Sequence, residues 1–174
     1  MDARTVIEES GAIERGTFKL ADGVLTDYYV DKYAFETNPE LLSALTDELA
    51  AVLEDRDVDV LLGPALGAVP LVTALSLRLG LPAAYIRHRD RHPGTRARIE
   101  GEIGEGDRVA LVEDVTATGK TMLDAIEVVE TVGGRVEHTL VVVDRNEEAV
   151  EALAEAGHDL EFLVRIGDDI AVDS

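Results

Sequence analysis

The residue types best suited to chemistry fall in one stretch, Leu111-Val112-Glu113-Asp114-Val115-Thr116-Ala117-Thr118-Gly119-Lys120-Thr121. Val109 to Val112 form an apolar run that reads as a buried strand. Two carboxylates follow where that strand leaves its sheet. A loop of small and hydroxylated residues comes next. A helix then begins, with Met122, Leu123, Ile126 and Val129 at helical spacing. Such a loop binds anions, because backbone N–H groups and the positive end of the helix dipole face its contents. Thr116, Thr118 and Thr121 add hydroxyl donors. Glu113 and Asp114 would repel a phosphate, so they must face sugar hydroxyls or a metal. The plainer reading is a strand-to-helix turn with a Thr cap. The ending Gly119-Lys120-Thr121 invites comparison with the nucleoside-triphosphate P-loop, but that motif needs Gly where Asp114 stands.

Three other segments carry candidate chemistry. Gly63-Pro64-Ala65-Leu66-Gly67 follows a short apolar run, and its small residues let backbone amides approach an anion. Taken alone it is equally a strand-to-helix turn. Residues 87–98, Arg87-His88-Arg89-Asp90-Arg91-His92-Pro93-Gly94-Thr95-Arg96-Ala97-Arg98, form the one cationic patch of the chain. A charge run is usually a solvated face, but concentrating cations here implies an anionic client. Asp144-Arg145 closes the apolar run Val141-Val142-Val143. The planar fork of an arginine suits a planar carboxylate or imide.

The elements that position these segments read as one α/β domain. Residues 3–15 are expected to be a helix on the surface or at a dimer contact. Strands follow at 17–20 and 25–31, joined at Asp22-Gly23, with Tyr28 and Tyr29 on opposite faces. Asn38-Pro39 opens a helix whose buried stripe is Leu41, Leu42, Leu45, Leu49 and Val52. Strands are expected at 58–62, 82–87, 136–143 and 160–166, with helices at 71–79, 120–132 and 147–156. Apolar strands alternating with helices mean a parallel sheet covered on both faces. Ligands of such sheets bind outside the C-terminal strand ends, and all four chemical segments lie at such ends.

The length of 174 residues suits one domain, and 46 % hydrophobic residues suffice for a core. The absence of cysteine excludes disulfides and fits a cytosolic protein. No stretch reads as a signal peptide or membrane span. Acids number 36 against 16 basic residues, a net charge of −20, and lysine occurs only as Lys19, Lys32 and Lys120. Self-repulsion at this density destabilises a compact state, and molar salt screens it. We therefore expect a halophilic protein. The same charge disfavours nucleic-acid binding.

Taken together, the segments resemble the type I phosphoribosyltransferases, and within them the orotate-using branch. The acids and small loop match the family's phosphoribosyl pyrophosphate (PRPP) loop. Gly63 to Gly67 match its pyrophosphate loop. Residues 87–101 match its catalytic loop through Arg87, Gly94 and Ile99-Glu100-Gly101. Val143-Asp144-Arg145-Asn146-Glu147, Phe18-Lys19-Leu20 with Gly23, and Asp27-Tyr28-Tyr29-Val30-Asp31-Lys32 match the orotate branch. The resemblance implies a single phosphoribosyltransferase domain over residues 1–174, with a hood at about 1–35 and a core at about 36–174. It implies transfer from PRPP to orotate with Mg²⁺, giving orotidine 5′-phosphate and pyrophosphate, in a cytoplasmic homodimer that shares its catalytic loop. PRPP would meet Arg87, Glu113, Asp114, Val115, Thr116, Ala117, Thr118, Gly119, Lys120 and Thr121, with Ala65, Leu66 and Gly67 at the pyrophosphate. Orotate would meet Arg145, Tyr28, Tyr29, Lys32 and Thr118. Arg91, His88, His92 and Asp114 would be catalytic. Mg²⁺ would arrive on PRPP, with Glu113 and Asp114 as candidate protein ligands.

The chain departs from the family at Ala117 (usually Thr), Gly67 (often Lys in bacteria), Ala21 (often Lys), and His88 and Arg91 (usually Lys). Pro93 stands where the family has His or Tyr. Arginine carries charge but is no acid near neutral pH, so His88 or His92 is left to supply a proton. The competing readings are transfer to a purine base, and a PRPP- or nucleotide-sensing regulator without catalysis.

Overall fold

The computed structural model describes residues 1–19, 23, 25–88 and 98–172. Six strands form one sheet in the order β5-β4-β3-β6-β7-β8: β3 (Val60–Pro64), β4 (Ala83–Ile86), β5 (Ile99–Glu100), β6 (Arg108–Thr116), β7 (Arg135–Asp144) and β8 (Leu160–Arg165). All neighbours are parallel except β4 and β5. The two faces are read directly from the strand sequences, because successive side chains point to opposite sides. Leu61, Ala110, Val112, Leu140 and Val142 pack beneath α1 (Ala3–Ser10), α3 (Pro39–Leu53) and α4 (Val69–Leu79). Val60, Leu62, Val109, Leu111 and Val141 pack beneath α5 (Lys120–Thr131) and α6 (Ala149–Glu155). With both faces covered, the strands need no polar alternation, which is why they read as continuous apolar runs.

A separate two-stranded sheet pairs β1 (Ile13–Lys19) with β2 (Leu25–Val30), antiparallel, with a bulge between Arg15 and Phe18. The first helix differs from expectation. It ends at Ser10, not Arg15, because Ile13 to Arg15 pair with Val30, Tyr29 and Tyr28. Nor is it simply a surface element: Ala3, Val6 and Ile7 are buried against the main core, in contact with α3. One helical turn, α2 (Tyr33–Glu36), is additional to the expected elements. No described helix is long and apolar enough to cross a membrane.

Strand order gives the site its place. From β3 the chain builds outward through β4 and β5; from β6 it builds the other way through β7 and β8. The reversal lies between β3 and β6, and the crevice beyond their C-terminal ends is where such sheets hold ligands. Gly63 to Gly67 and Glu113 to Thr121 flank it.

Candidate active site

The acidic pair closes β6 within the fold's interior, with Glu113 6 % and Asp114 3 % exposed. Burial, then the neighbouring Asp114 charge, pushes the Glu113 carboxyl well above its ordinary range. Asp114 holds an ammonium: Lys32 Nζ lies 2.6 Å from its Oδ2. Burial alone would lower the Lys32 pKa, but the Asp114 charge and contact outweigh it, and the net shift is upward. Beside the pair lies Glu36, pushed to about 8 by burial and by Asp114, with Lys32 acting the other way. Gly67 seals this group from the β3 side. A Cβ built on it would stand 2.1 Å from both Asp114 Oδ2 and Lys32 Nζ, so only glycine lets the loop pass. Ala65 and Leu66, joined by a cis peptide, complete that loop, and Leu66 is largely exposed.

The segment after the acids is anchored by its backbone, leaving its polar side chains outward. The Thr116 carbonyl accepts from Arg145 N–H at 2.9 Å, and the Ala117 carbonyl accepts from Glu148 and Ala149 N–H at 3.0 and 3.1 Å. Thr116 is buried, Val115 and Ala117 are half-buried, and Thr118, Lys120 and Thr121 are exposed. Gly119 turns the chain into α5 at φ 74°, a conformation that side chains other than glycine rarely adopt. The opening N–H groups of α5 lack helical acceptors by geometry and face the crevice mouth as an anion seat.

Beside the acidic segment, just past the end of β7, Arg145 lies beneath the β1–β2 hairpin. Its guanidinium carbon is 4.6 Å from the Tyr28 ring centroid, Nη2 donates to Thr26 Oγ1 at 3.2 Å, and Nε is 3.1 Å from Glu147 Oε1. The Tyr28 hydroxyl donates to the Arg145 carbonyl at 3.5 Å, and burial raises its pKa. Tyr29 does not join this group; its ring is 5.7 Å from Phe18 and 43 % exposed. Asp144, 1 % exposed, pairs with Arg165 at 2.8 Å and accepts the Asn146 N–H at 3.0 Å, fixing the turn that presents Arg145.

The basic loop springs from a pinned base. Arg87 N–H donates to the Arg98 carbonyl at 2.7 Å, and Arg98 Nε donates back to the Arg87 carbonyl at 2.9 Å. Arg98 makes a two-pronged pair with Asp124 of α5, at 2.9 and 2.5 Å. Arg87 reaches Glu100 at 3.1 Å. Arg87 and His88 line a small cavity with Pro64, Ala65, Thr121 and Asp124, so the β3 and β4 ends meet the first turns of α5. Arg91 and His92 lie outside the described residues.

The phosphoribosyl transferase domain model matches residues 33–157. An orotate phosphoribosyltransferase of Methanopyrus kandleri is 50 % identical over 149 residues, covering 86 % of this chain and 80 % of the relative. The chain belongs to the orotate phosphoribosyltransferase family. The family's enzyme from Halobacterium salinarum is 41 % identical over 96 % of this chain and 94 % of its own. The crystal structure of the Aeropyrum pernix orotate phosphoribosyltransferase superposes with a TM-score of 0.84 at 33 % identity, covering 93 % of this chain and 92 % of that one. An adenine phosphoribosyltransferase from Thermoanaerobacter pseudethanolicus, at 21 % identity and TM-score 0.75, covering 92 % of this chain and 99 % of that one, shares the fold alone. The orotate phosphoribosyltransferases are phosphoribosyl-transferring enzymes, so the regulator and purine readings give way.

Several residues of the site are absent from the expected set. Thr26 and Glu147 flank Arg145; Asp124 anchors the loop base; Arg165 pairs with Asp144; Glu36 sits behind Lys32. Two had a signal in the chain: Glu36 is four residues after Lys32, one helical turn on, and Glu147 is two residues after Arg145.

Proposed function

We propose that the chain transfers the phosphoribosyl group of PRPP to orotate, giving orotidine 5′-phosphate and pyrophosphate. The observation that carries this reading is the placement, at the ends of the adjacent strands β6 and β7, of a buried acidic pair beside an open anion loop and an arginine capped by Tyr28. Glu113 and Asp114 hold the ribose hydroxyls, and Thr116 to Thr121 hold the 5′-phosphate. Arg145 binds orotate through its fork, with Tyr28 and the hairpin as its cover. Ala65, Leu66 and Gly67 face the pyrophosphate, and Arg87 with the basic loop closes over it. Bond breaking at the anomeric carbon develops positive charge on the ribose and negative charge on the leaving group. The protein contributes position and electrostatics, not a covalent nucleophile. The test is product formation from PRPP and orotate in concentrated KCl, with purine bases in parallel.

The donor set fits Mg²⁺ brought in by PRPP. Among the described residues no three His, Cys, Asp or Glu converge as a self-sufficient metal cage. The buried Asp114 Oδ2, held only by the Lys32 ammonium at 2.6 Å among the described residues, and the adjacent Glu113 would supply the protein's share. When bound, the cation neutralises the pyrophosphate charge.

Two features of setting belong to the same reading. The enzyme is cytosolic and halophilic, as its cysteine-free, strongly acidic sequence suggests. Its melting temperature should rise steeply as KCl goes from none to molar, because screening removes repulsion among the excess acids. A melting curve indifferent to salt contradicts this.

It is also a homodimer in which the basic loop serves the neighbour's site. Arg91→Ala and Asp114→Asn, each inactive alone, are mixed unfolded and refolded together in salt. One site of every mixed dimer then carries neither lesion, and activity should return to about a quarter of wild type. A dead mixture whose mixed dimers are confirmed by mass rules out sharing.

A further inference from the structure

Among the described residues, Glu36 is a buried carboxyl near the site that has neither a role in the proposed chemistry nor an ion-pair partner, whereas Asp144 is paired with Arg165. Glu36 closes α2, is 3 % exposed, and neither carboxyl oxygen has a hydrogen-bond partner. A buried acid is normally paired. The charged groups around it are Asp114 from β6, and Lys32 and Asp31 from its own segment. Lys32 is one turn earlier: Glu36 N–H donates to the Lys32 carbonyl at 3.0 Å, which puts both side chains on one face. Yet the ammonium sits on Asp114, at 2.6 Å. Two buried carboxyl groups thus compete for one ammonium, and Asp114 holds it.

That ammonium stands where a ligand of Asp114 must come. Lys32 Nζ and Asp114 Oδ2 together press on the Gly67 backbone, leaving no room for even a methyl group. With Lys32 on Asp114 Oδ2, the approach to that oxygen from the Gly67 side is filled, and a ribose hydroxyl competes with the ammonium for it. Displacing Lys32 with nothing to receive it would strand a largely buried ammonium, whose side chain is 28 % exposed.

We propose that Glu36 is a positioning residue that receives the Lys32 ammonium when PRPP takes Asp114. The exchange is a side-chain rotation within one helical turn. It gives both the displaced ammonium and the otherwise unpaired Glu36 carboxyl a partner once substrate holds Asp114. It rests on the assignment of Asp114 to the ribose of PRPP, and it gives the empty site a built-in plug that substrate displaces.

The test is a double-mutant cycle read by the dissociation constant of Mg²⁺–PRPP, measured calorimetrically in concentrated KCl. Glu36→Gln should weaken PRPP binding at least about tenfold, since the displaced ammonium loses its partner. In a Lys32→Met background, the same substitution should change PRPP affinity by less than about twofold, because no ammonium remains to be seated. Glu36→Met, apolar and of similar length, should reproduce both results and covers the case in which the buried amide prevents folding. Unchanged PRPP affinity in the folded Glu36 variants overturns the proposal. So does an equal loss with and without Lys32, which would mark Glu36 as structural. Failure of the wild-type chain to bind PRPP would instead overturn the reading beneath it, so the two failures are distinct.

Discussion

Asp114→Asn should remove most of the turnover, by roughly 10²–10³-fold, the usual cost of losing one charge-stabilising group in a transition state. The carboxylate is 3 % exposed near the C-terminal end of β6, beside the loop proposed to seat the 5′-phosphate. Asparagine keeps its shape but cannot supply a second anionic oxygen to ribose hydroxyls or to a substrate-borne cation. The fold should survive. The core beneath is formed by Ala110, Leu111 and Val112, which the substitution does not touch. Lys32, which loses its partner, has the Glu36 carboxyl one helical turn away to receive its ammonium. Circular dichroism in high salt should match wild type while product formation falls. An unfolded variant would mean that the acid is a structural cap.

Arg145→Ala should raise the orotate KM about 10- to 150-fold while leaving the KM for PRPP nearly unchanged. A charge-assisted contact is worth roughly 1.5–3 kcal/mol, and each 1.4 kcal/mol is about tenfold. The structure adds a reason for a value toward the upper end. Arg145 also supports the hairpin, through the Tyr28 ring and Thr26 Oγ1, so its removal loosens the cover as well as the contact. Arg145→Lys should not rescue, because an ammonium cannot reproduce the two-pronged, ring-stacked geometry. Steady-state kinetics with each substrate varied in turn decides it. A loss of PRPP affinity with orotate affinity intact would place the arginine on the other ligand.

Most of the architecture was readable because buried parallel strands leave a plain trace. Val60 to Leu62, Val109 to Val112 and Val141 to Val143 are apolar without alternation, and the helices between them carry one apolar stripe each. The candidate phosphate loop was readable for a related reason: Glu113 to Gly119 are one unbroken stretch, so one local pattern holds the proposed chemistry. What local pattern missed was made by long-range contact. The first helix was drawn too long because Ile13 to Arg15 pass for a helix continuation until β2 is placed beside them. Lys32, assigned to orotate, rests on Asp114, a partner 82 positions away that no spacing rule reveals. Asp124 as the anchor of Arg98, and Arg165 as the partner of Asp144, are likewise matters of tertiary approach. The resemblance of residues 27–32 to the family's hood makes both Tyr28 and Tyr29 candidates. Only the hairpin's placement separates the tyrosine over Arg145 from the one against Phe18.

In the proposed reaction one crevice, with Asp114 and Arg145 at neighbouring strand ends, joins a PRPP-derived phosphoribosyl group to orotate. The most direct test of that reading follows orotidine 5′-phosphate and pyrophosphate in the same reaction, with purified chain, Mg²⁺, PRPP and orotate in concentrated KCl. Stoichiometric formation of both products is expected, with none from adenine, guanine or hypoxanthine in place of orotate. Product from a purine base, or PRPP bound but never consumed by the folded chain, would contradict it.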